Sequence, residues 1–288
     1  MILTKPNFGA NVLRPFLVSL FVISLFGVNS SQAQQGADKE TSKPLRIAVA
    51  ANFTPVLKVL LKDFTKKTGI KSQIISGASG AMFLQIKHGA PFDIFLSADN
   101  RRPTELMQAG YAVKDSRKTY AIGQLALYSS SMSPNVNSLE PLSLKQLKDP
   151  PARFAIANPD IAPYGKAAKE VLTHLGLWQR YQSRLIKGIN IGQTFTQLRS
   201  KAVTIGIVAN SQLVLNNLSG VIIPTHYHQP IEQQLIIIRA SKQQVAAEKL
   251  SQFLLSSDSQ KIIVRYGYAQ AKHVNSATKE VMRVSGAK

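Results

Sequence analysis

The chain has 288 residues and is strongly basic, with 35 Lys+Arg against 15 Asp+Glu and a net charge of +20 at pH 7. It contains no cysteine, which excludes disulfides, thiol catalysis and zinc–thiolate sites. The basic residues are spread along the chain and do not alternate with aromatic residues, so nucleic acid is not an expected partner.

The first 33 residues have the pattern of a secretory signal peptide. Lys5 and Arg14 precede an apolar run from Phe16 to Val28, and a small-residue cleavage site ends at Ala33. A membrane-anchoring helix is the alternative, but the run is shorter than the roughly 20 apolar residues that a span needs. Cleavage would leave 33 basic against 15 acidic residues, a net charge of +18.

Residues 34–44 are polar and lack hydrophobic periodicity, which predicts a flexible lead-in to a fold that begins at Leu45. A strand over Leu45–Ala51 precedes a helix that begins at Thr54-Pro55, with the Thr54 hydroxyl as its cap, and ends at Gly69. A strand, a helix and a strand follow at 72–75, 81–88 and 93–97. Further strands are predicted at 120–128, 153–157, 204–208, 220–223 and 233–238.

This alternation predicts an α/β fold in which a mostly parallel sheet is flanked by helices and ligands bind beyond the carboxyl ends of the strands. No glycine- or serine-rich linker divides the chain, so two lobes joined by crossing strands are expected. The candidate crossings are Ala121–Tyr128 and Leu235–Ile238. The predicted lobes are 45–122 plus 235–288 (lobe I) and 123–234 (lobe II).

Four predicted loops share one physical character, because each follows an extended segment and opens a helix with small or hydrogen-bonding residues. Helix N-termini carry unpaired N–H groups and a partial positive charge, which suits an anion. No carboxylate occurs in these loops, which argues against a metal cation as the ligand. The loops are Ala51–Thr54, Gly77–Gly80, Ala162–Gly165 and Asn190–Gln193.

Catalysis has less support in the sequence. It contains no Gly-x-Ser-x-Gly, Walker, Gly-x-Gly-x-x-Gly or His-Glu-x-x-His motif, and no carboxylate pair stands out as a general acid and base. His226 and His228 have the alternate spacing that a metal site on an extended segment would need, with a solvated loop as the simpler interpretation.

The chain from Leu45 to about Tyr268 resembles the periplasmic molybdate-binding proteins that feed ABC importers. The strongest stretch is QIKHGAPFDIFLSAD at 85–99. Supporting stretches are RIAVAANFT at 46–54, SGASG at 76–80, NPDIAPYGKAAKEVL at 158–172, GIVANSQ at 206–212 and RYGY at 265–268.

The resemblance implies a two-lobed class II periplasmic-binding-protein fold that closes on molybdate or tungstate, held as an oxyanion by neutral donors. It implies a non-enzymatic, monomeric protein of the periplasm that needs no cofactor and no direct metal-ion ligand, and that delivers its ligand to an ABC permease in the membrane. Asn52 and Tyr164 resemble a branch of the family in which the asparagine amide is a donor. The implied ligand contacts are Ala51, Asn52, Ser79, Tyr164 and Ile191.

Two other functions remain open at this stage. One is a binder of a different small anion, such as sulfate, phosphate or a carboxylate, although no arginine lies in the four loops to form a salt bridge with a carboxylate. The other is an enzyme or a sensor domain on the same scaffold.

Overall fold

The structure is a computed structural model that describes residues 43–130, 147 and 150–270. The predicted signal peptide, most of the lead-in and residues 271–288 of predicted lobe I therefore lie outside the described residues. Within the described part, no helix has both the length and the apolar character needed to cross a bilayer.

Ten strands alternate with helices along the described residues. The strands are β1 (Leu45–Ala50), β2 (Ser72–Gly77), β3 (Ile94–Leu96), β4 (Lys118–Gly123), β5 (Leu125–Ser129), β6 (Phe154–Ala157), β7 (Leu185–Gly188), β8 (Ile205–Ala209), β9 (Val221–Ile222) and β10 (Ile231–Ile237). The α-helices are α1 (Thr54–Thr68), α2 (Ser79–Lys87), α3 (Arg101–Gln108), α4 (Pro163–His174), α5 (Trp178–Tyr181), α6 (Ile191–Arg199), α7 (Asn210–Val214), α8 (Gln244–Leu255) and α9 (Ser257–Arg265). Short 3₁₀ turns occupy Gln182–Arg184 and Thr225–Tyr227.

The described strands form two five-stranded sheets, in the orders β2-β1-β3-β10-β4 and β7-β6-β8-β5-β9. In the first sheet β10 runs antiparallel to both of its neighbours, and in the second sheet β5 does. The other strands of each sheet share one direction. The prediction of an α/β fold with two mostly parallel sheets is confirmed, with one reversed strand in each sheet.

Helix α1 shows how the sequence pattern produces this packing. Its predicted apolar face is buried, from Val56 to Phe64, and Gly69 ends the helix in the left-handed conformation with φ of 71°. The predicted cap is wrong, because Phe53 occupies the cap position without a side-chain hydrogen bond. The Thr54 hydroxyl instead lies 2.7 Å from the Ser76 hydroxyl, which ties the start of α1 to the end of β2.

The first predicted crossing is correct in place but not in form. The predicted single strand at 120–128 is two strands, β4 and β5, which belong to different sheets and are separated by Gln124. Gly123, the last residue of β4, is closely packed at this point: a Cβ here would lie 2.4 Å from the Tyr164 hydroxyl and 2.9 Å from Gln233 Nε2.

The second predicted crossing is wrong. Leu235–Ile238 does not leave the first sheet, since Leu235 to Ile237 lie within β10 and pair with β3. The chain returns between the sheets earlier, through residues 223–230, where prolines and a 3₁₀ turn replace strand pairing. The lobe boundaries at 122/123 and 234/235 remain predictions, and the sheets themselves change between Gly123 and Leu125 and between Ile222 and Ile231.

Strand β7 was not predicted. It is a short edge strand, LIKG, in which only the final glycine is buried, so it lacks the apolar run that identifies a strand in a sequence. Parallel pairing with β6 holds these residues as a strand, although their sequence has no strand pattern. The strand matters for function because α6, which begins at Ile191, follows it.

Gly206 on β8 provides a test of how tightly the second sheet is packed. A Cβ at this position would lie 2.3 Å from the backbone oxygen of Ala155, which cannot move without disturbing the pairing of β6 with β8. We expect Gly206→Ala to lower the free energy of unfolding by roughly 1–3 kcal/mol in chemical denaturation.

Gly77→Ala is the matched control for this substitution. The nearest atom to a Cβ at Gly77 is the terminal methyl of Met82, at 2.6 Å, and that flexible side chain can turn away. An equal loss of stability in both variants would contradict the packing argument.

Candidate functional site

Four helix N-termini converge on one small cavity between the two sheets. Helices α1 and α2 follow strands of the first sheet, and α4 and α6 follow strands of the second. All five sequence-predicted contact residues line this cavity. The lining residues are Ala50, Ala51, Asn52, Gly77, Ala78, Ser79, Ala98, Ala162, Pro163, Tyr164, Asn190 and Ile191.

The first lobe contributes the loops that start α1 and α2. The Ala51 backbone N–H donates to the carbonyl of Gly77 at 2.9 Å, which holds the two loops side by side. Ser79 is completely buried, and its hydroxyl accepts the backbone N–H of Ala98 at 2.9 Å. That bond leaves the hydroxyl proton of Ser79 available for an acceptor in the cavity.

The second lobe contributes the starts of α4 and α6. Tyr164 follows Pro163 in the first turn of α4, and its ring is buried. Ile191 is the first residue of α6, which Asn190 caps by accepting the backbone N–H of Gln193 at 2.9 Å. The carbonyl of Ile191 accepts a hydrogen bond from Gln212 Nε2 at 2.9 Å, and this bond holds the start of α6 in place.

Six backbone N–H groups of the cavity lining have no hydrogen-bond acceptor within residues 43–130, 147 and 150–270. Ala78 and Asn190 carry two of them, and the other four, at Asn52, Ser79, Tyr164 and Ile191, stand at or just before the first turns of the four helices. Buried N–H groups without a partner are costly, and a helix start adds a partial positive charge to them. Together they make this cavity suited to an anion.

The lobes touch at the cavity. The backbone N–H of Gly80 on α2 donates to the carbonyl of Ile161, in the loop before α4, at 2.9 Å. A Cβ at Gly80 would lie 2.8 Å from that same oxygen, so the approach requires glycine. On the other side, a Cβ at Gly192 would lie 3.4 Å from the Ala51 methyl group. The described structure is therefore a closed arrangement of the two lobes.

Charged side chains lie outside the cavity lining. Lys166, the one cation adjacent to a predicted loop, is exposed and forms an ion pair with Glu170 at 3.7 Å. Arg102 is buried behind the cavity, where its guanidinium is paired with the carboxylate of Asp99. Asp93 accepts the backbone N–H of Arg46 at 2.7 Å. Both carboxylates of the 85–99 stretch thus have structural partners outside the cavity lining.

The two histidines of the sequence-predicted pair differ in environment, since His226 is exposed and His228 is buried. His226 is exposed and packs against Tyr227 and His174, at ring-centroid distances of 4.1 and 6.5 Å. His228 is buried, and its Nδ1 lies 2.7 Å from the carbonyl of Gln229. In the part of the chain that the structure describes, no group of three potential metal ligands was found.

Sequence reasoning missed two residues that contact Asn52. Gln233, fully buried on β10, lies 2.9 Å from Asn52 Nδ2 through its Oε1 and donates to the Tyr164 hydroxyl at 3.1 Å. The Tyr268 hydroxyl donates to the backbone oxygen of Asn52 at 2.9 Å. A glutamine inside an apolar strand, QQLIII, was the available signal for Gln233, since a buried amide needs partners.

Two α/β lobes that enclose a small, uncharged site at their helix N-termini define the class of solute-binding proteins. The chain belongs to the family described as bacterial extracellular solute-binding protein, whose model matches residues 45–269. The predicted membership of this class is confirmed.

Relatives with assigned names extend the comparison. The chain is 35% identical to the molybdate-binding protein ModA of Azotobacter vinelandii, over 88% of this chain and 98% of that protein. It is 36% identical to the molybdate-binding protein ModA of Rhodobacter capsulatus, over 77% of this chain and 86% of that protein. The solved structure of the Azotobacter vinelandii periplasmic molybdate-binding protein matches with a TM-score of 0.73 and 35% identity, covering 79% of this chain and 100% of that one.

Three buried tyrosines around the site make the stability of the folded protein depend on pH in alkaline solution. Burial raises the pKa of Tyr120, Tyr164 and Tyr268 above the ordinary value of 10.0. Their contribution to stability is fully present below about pH 10, the unfolded pKa, and declines as pH rises from there towards the folded values. We expect the thermal unfolding temperature to fall above about pH 10. Tyr268→Phe should make that decline shallower, and an unchanged slope would contradict the assignment.

Proposed function

We propose that the protein captures molybdate or tungstate in the cavity between its lobes. The observation that carries the proposal is the set of four unpaired backbone N–H groups at Asn52, Ser79, Tyr164 and Ile191, joined by the Ser79 hydroxyl. A tetrahedral dianion offers several oxygen acceptors to such donors. The names of the relatives from Azotobacter vinelandii and Rhodobacter capsulatus support the choice of molybdate.

The chemistry of the cavity lining favours an oxyanion over other ligands. None of the lining residues within the described part of the chain carries a charged side chain. A divalent cation would need carboxylate or other anionic ligands, and an organic carboxylate is commonly held by arginine. Neutral donors with helix dipoles suit a ligand that brings its own charge.

Cavity size is the proposed basis of selectivity against sulfate. Sulfate has the same charge and the same shape, but its shorter bonds leave some donors of a molybdate-sized cage beyond hydrogen-bond distance. Each buried unpaired donor costs ~1–3 kcal/mol. Two such losses correspond to a preference of roughly a hundredfold or more.

The proposed cycle is binding without catalysis. An exported, monomeric protein captures the oxyanion in the periplasm, its lobes close about the crossings, and the closed form delivers the ligand to an ABC permease. The family description and the name of a 25% identical relative from Bacillus subtilis, a putative ABC transporter substrate-binding lipoprotein, support this role. No cofactor is needed for it.

Isothermal titration of the protein without residues 1–33 tests the ligand. Molybdate and tungstate should each bind tightly with one-to-one stoichiometry, whereas sulfate and phosphate should bind at least about a hundredfold more weakly. Equal binding of sulfate would refute the size argument while leaving an oxyanion binder. No binding by any of the four anions would refute the proposed function and favour an enzyme or a sensor domain.

Ser79→Ala tests the proposed site. The substitution removes one hydroxyl donor and leaves the backbone N–H of Ala98 without its acceptor, so we expect molybdate affinity to fall about tenfold to a hundredfold. Ser76→Ala is the matched control, because Ser76 lies three residues away, is exposed and hydrogen-bonds Thr54 outside the cavity. Similar losses in the two variants would place the ligand elsewhere.

A further inference from the structure

Gln233 joins ligand-site residues of both lobes. It lies on β10 in the first sheet, is completely buried, and contacts three side chains through its amide. Its Oε1 lies 2.9 Å from Asn52 Nδ2 and 3.0 Å from the Tyr120 hydroxyl, and its Nε2 lies 3.1 Å from the Tyr164 hydroxyl. Asn52 belongs to the first lobe's half of the cavity and Tyr164 to the second lobe's half.

The amide orientation in this network leaves two groups unsatisfied. Asn52 directs its Nδ2 towards Gln233 and Tyr268, at 2.9 and 3.1 Å. Its Oδ1 is buried and has no partner among the described residues, although the side chain lines the cavity and is only 1% exposed. Tyr164 accepts a hydrogen bond from Gln233, but no acceptor for its own hydroxyl proton is found within the described residues.

Reversal of both amides would satisfy every one of these groups. The two ends of a carboxamide have nearly the same shape, so reversal exchanges donors and acceptors with little change in packing. Gln233 Nε2 would then donate to Asn52 Oδ1 and to the Tyr120 hydroxyl, which donates to the carbonyl of Ser97. Gln233 Oε1 would accept the proton of Tyr164. The Tyr268 hydroxyl would keep donating its one proton to the backbone oxygen of Asn52, and Asn52 Nδ2 would face the cavity.

We propose that Gln233 is a positioning residue that turns the Asn52 amide into a donor when an oxyanion binds, and so restricts the site to oxyanions without a proton. The inference rests on the proposed function. In the reversed network the groups assigned to the ligand are all donors: the backbone N–H groups of Asn52, Ser79, Tyr164 and Ile191, the Ser79 hydroxyl and Asn52 Nδ2.

The proposed selectivity depends on whether the oxyanion carries a proton. Molybdate, tungstate and sulfate carry no proton at neutral pH, so every oxygen accepts hydrogen bonds. Phosphate keeps at least one proton, which needs an acceptor in a buried site, and these donor groups give none. Asn52 Oδ1 is the acceptor that could bind the proton of phosphate, but in the reversed network it already accepts a hydrogen bond from Gln233 Nε2. Size would reject sulfate, whereas the orientation of Asn52 would reject phosphate.

Gln233→Leu removes the orienting group at similar volume. We expect molybdate affinity to fall about tenfold or more, because Asn52 Nδ2 is no longer released towards the ligand. We also expect the ratio of phosphate to molybdate affinity to rise, more at about pH 6 than at about pH 8, because phosphate is more protonated at the lower pH. Gln234→Leu is the matched control: this neighbour lies on the opposite face of β10, where it hydrogen-bonds Thr119 and Arg117. It should leave both affinities unchanged.

A double-mutant cycle separates positioning from a general packing effect. If Gln233 acts through Asn52, Gln233→Leu should have little further effect on molybdate binding in the Asn52→Ala background. Additive losses would overturn the inference, as would a Gln233→Leu protein that binds molybdate like the unsubstituted protein. Failure of the unsubstituted protein to bind molybdate would instead refute the proposed function.

Tyr164→Phe provides a second route if Gln233→Leu does not fold. The change keeps the backbone N–H of residue 164 but removes the hydroxyl proton that the reversed Gln233 accepts. We expect lower molybdate affinity and a higher phosphate-to-molybdate ratio, measured by titration at both pH values. An unchanged ratio would overturn the inference.

Discussion

Within the described residues, backbone N–H groups at the starts of four helices have no partner, and the surrounding fold holds them around one cavity. Unpaired buried donors are unfavourable in an empty site, so the fold must hold them in place through other contacts. The strands that precede α1, α2, α4 and α6 do this by placing all four helix starts at facing edges of the two sheets. A ligand with acceptors on all sides then satisfies groups that neither lobe can satisfy alone.

The uncharged lining gives the site its chemical character. A cationic side chain would attract any anion, whereas fixed neutral donors bind tightly only a ligand whose acceptors match their positions. The protein's large positive charge lies elsewhere on the chain, and the one cation beside a loop, Lys166, is held by Glu170 at the surface. Any long-range attraction of an anion would therefore come from residues outside the lining, and salt should weaken that attraction more than the contacts in the cavity.

Much of the fold could be predicted because α1 and the buried strands carry strong periodic patterns and the loops carry glycines and prolines. The hydrophobic pattern of the sequence led to wrong predictions where hydrogen-bond pairing between strands, and not composition, defines the strand. β7 is a polar edge strand, and residues 120–128 are apolar apart from Gln124 although they belong to two sheets. Likewise the loops indicated which residues could meet an anion, but Gln233 and Tyr268 reach Asn52 from 181 and 216 residues away in the sequence. No local pattern encodes such contacts.

The break between β4 and β5 has a mechanical consequence. The first crossing between the sheets is only Gln124, and the adjacent Gly123 is packed against the Tyr164 hydroxyl. Rotation of one lobe about this linker displaces each atom in proportion to its distance from it. If the lobes rotate in this way, groups near the linker, such as the Tyr164 hydroxyl, would move less than the outer rims of the lobes. A small angular change would then produce its largest displacement at the surface.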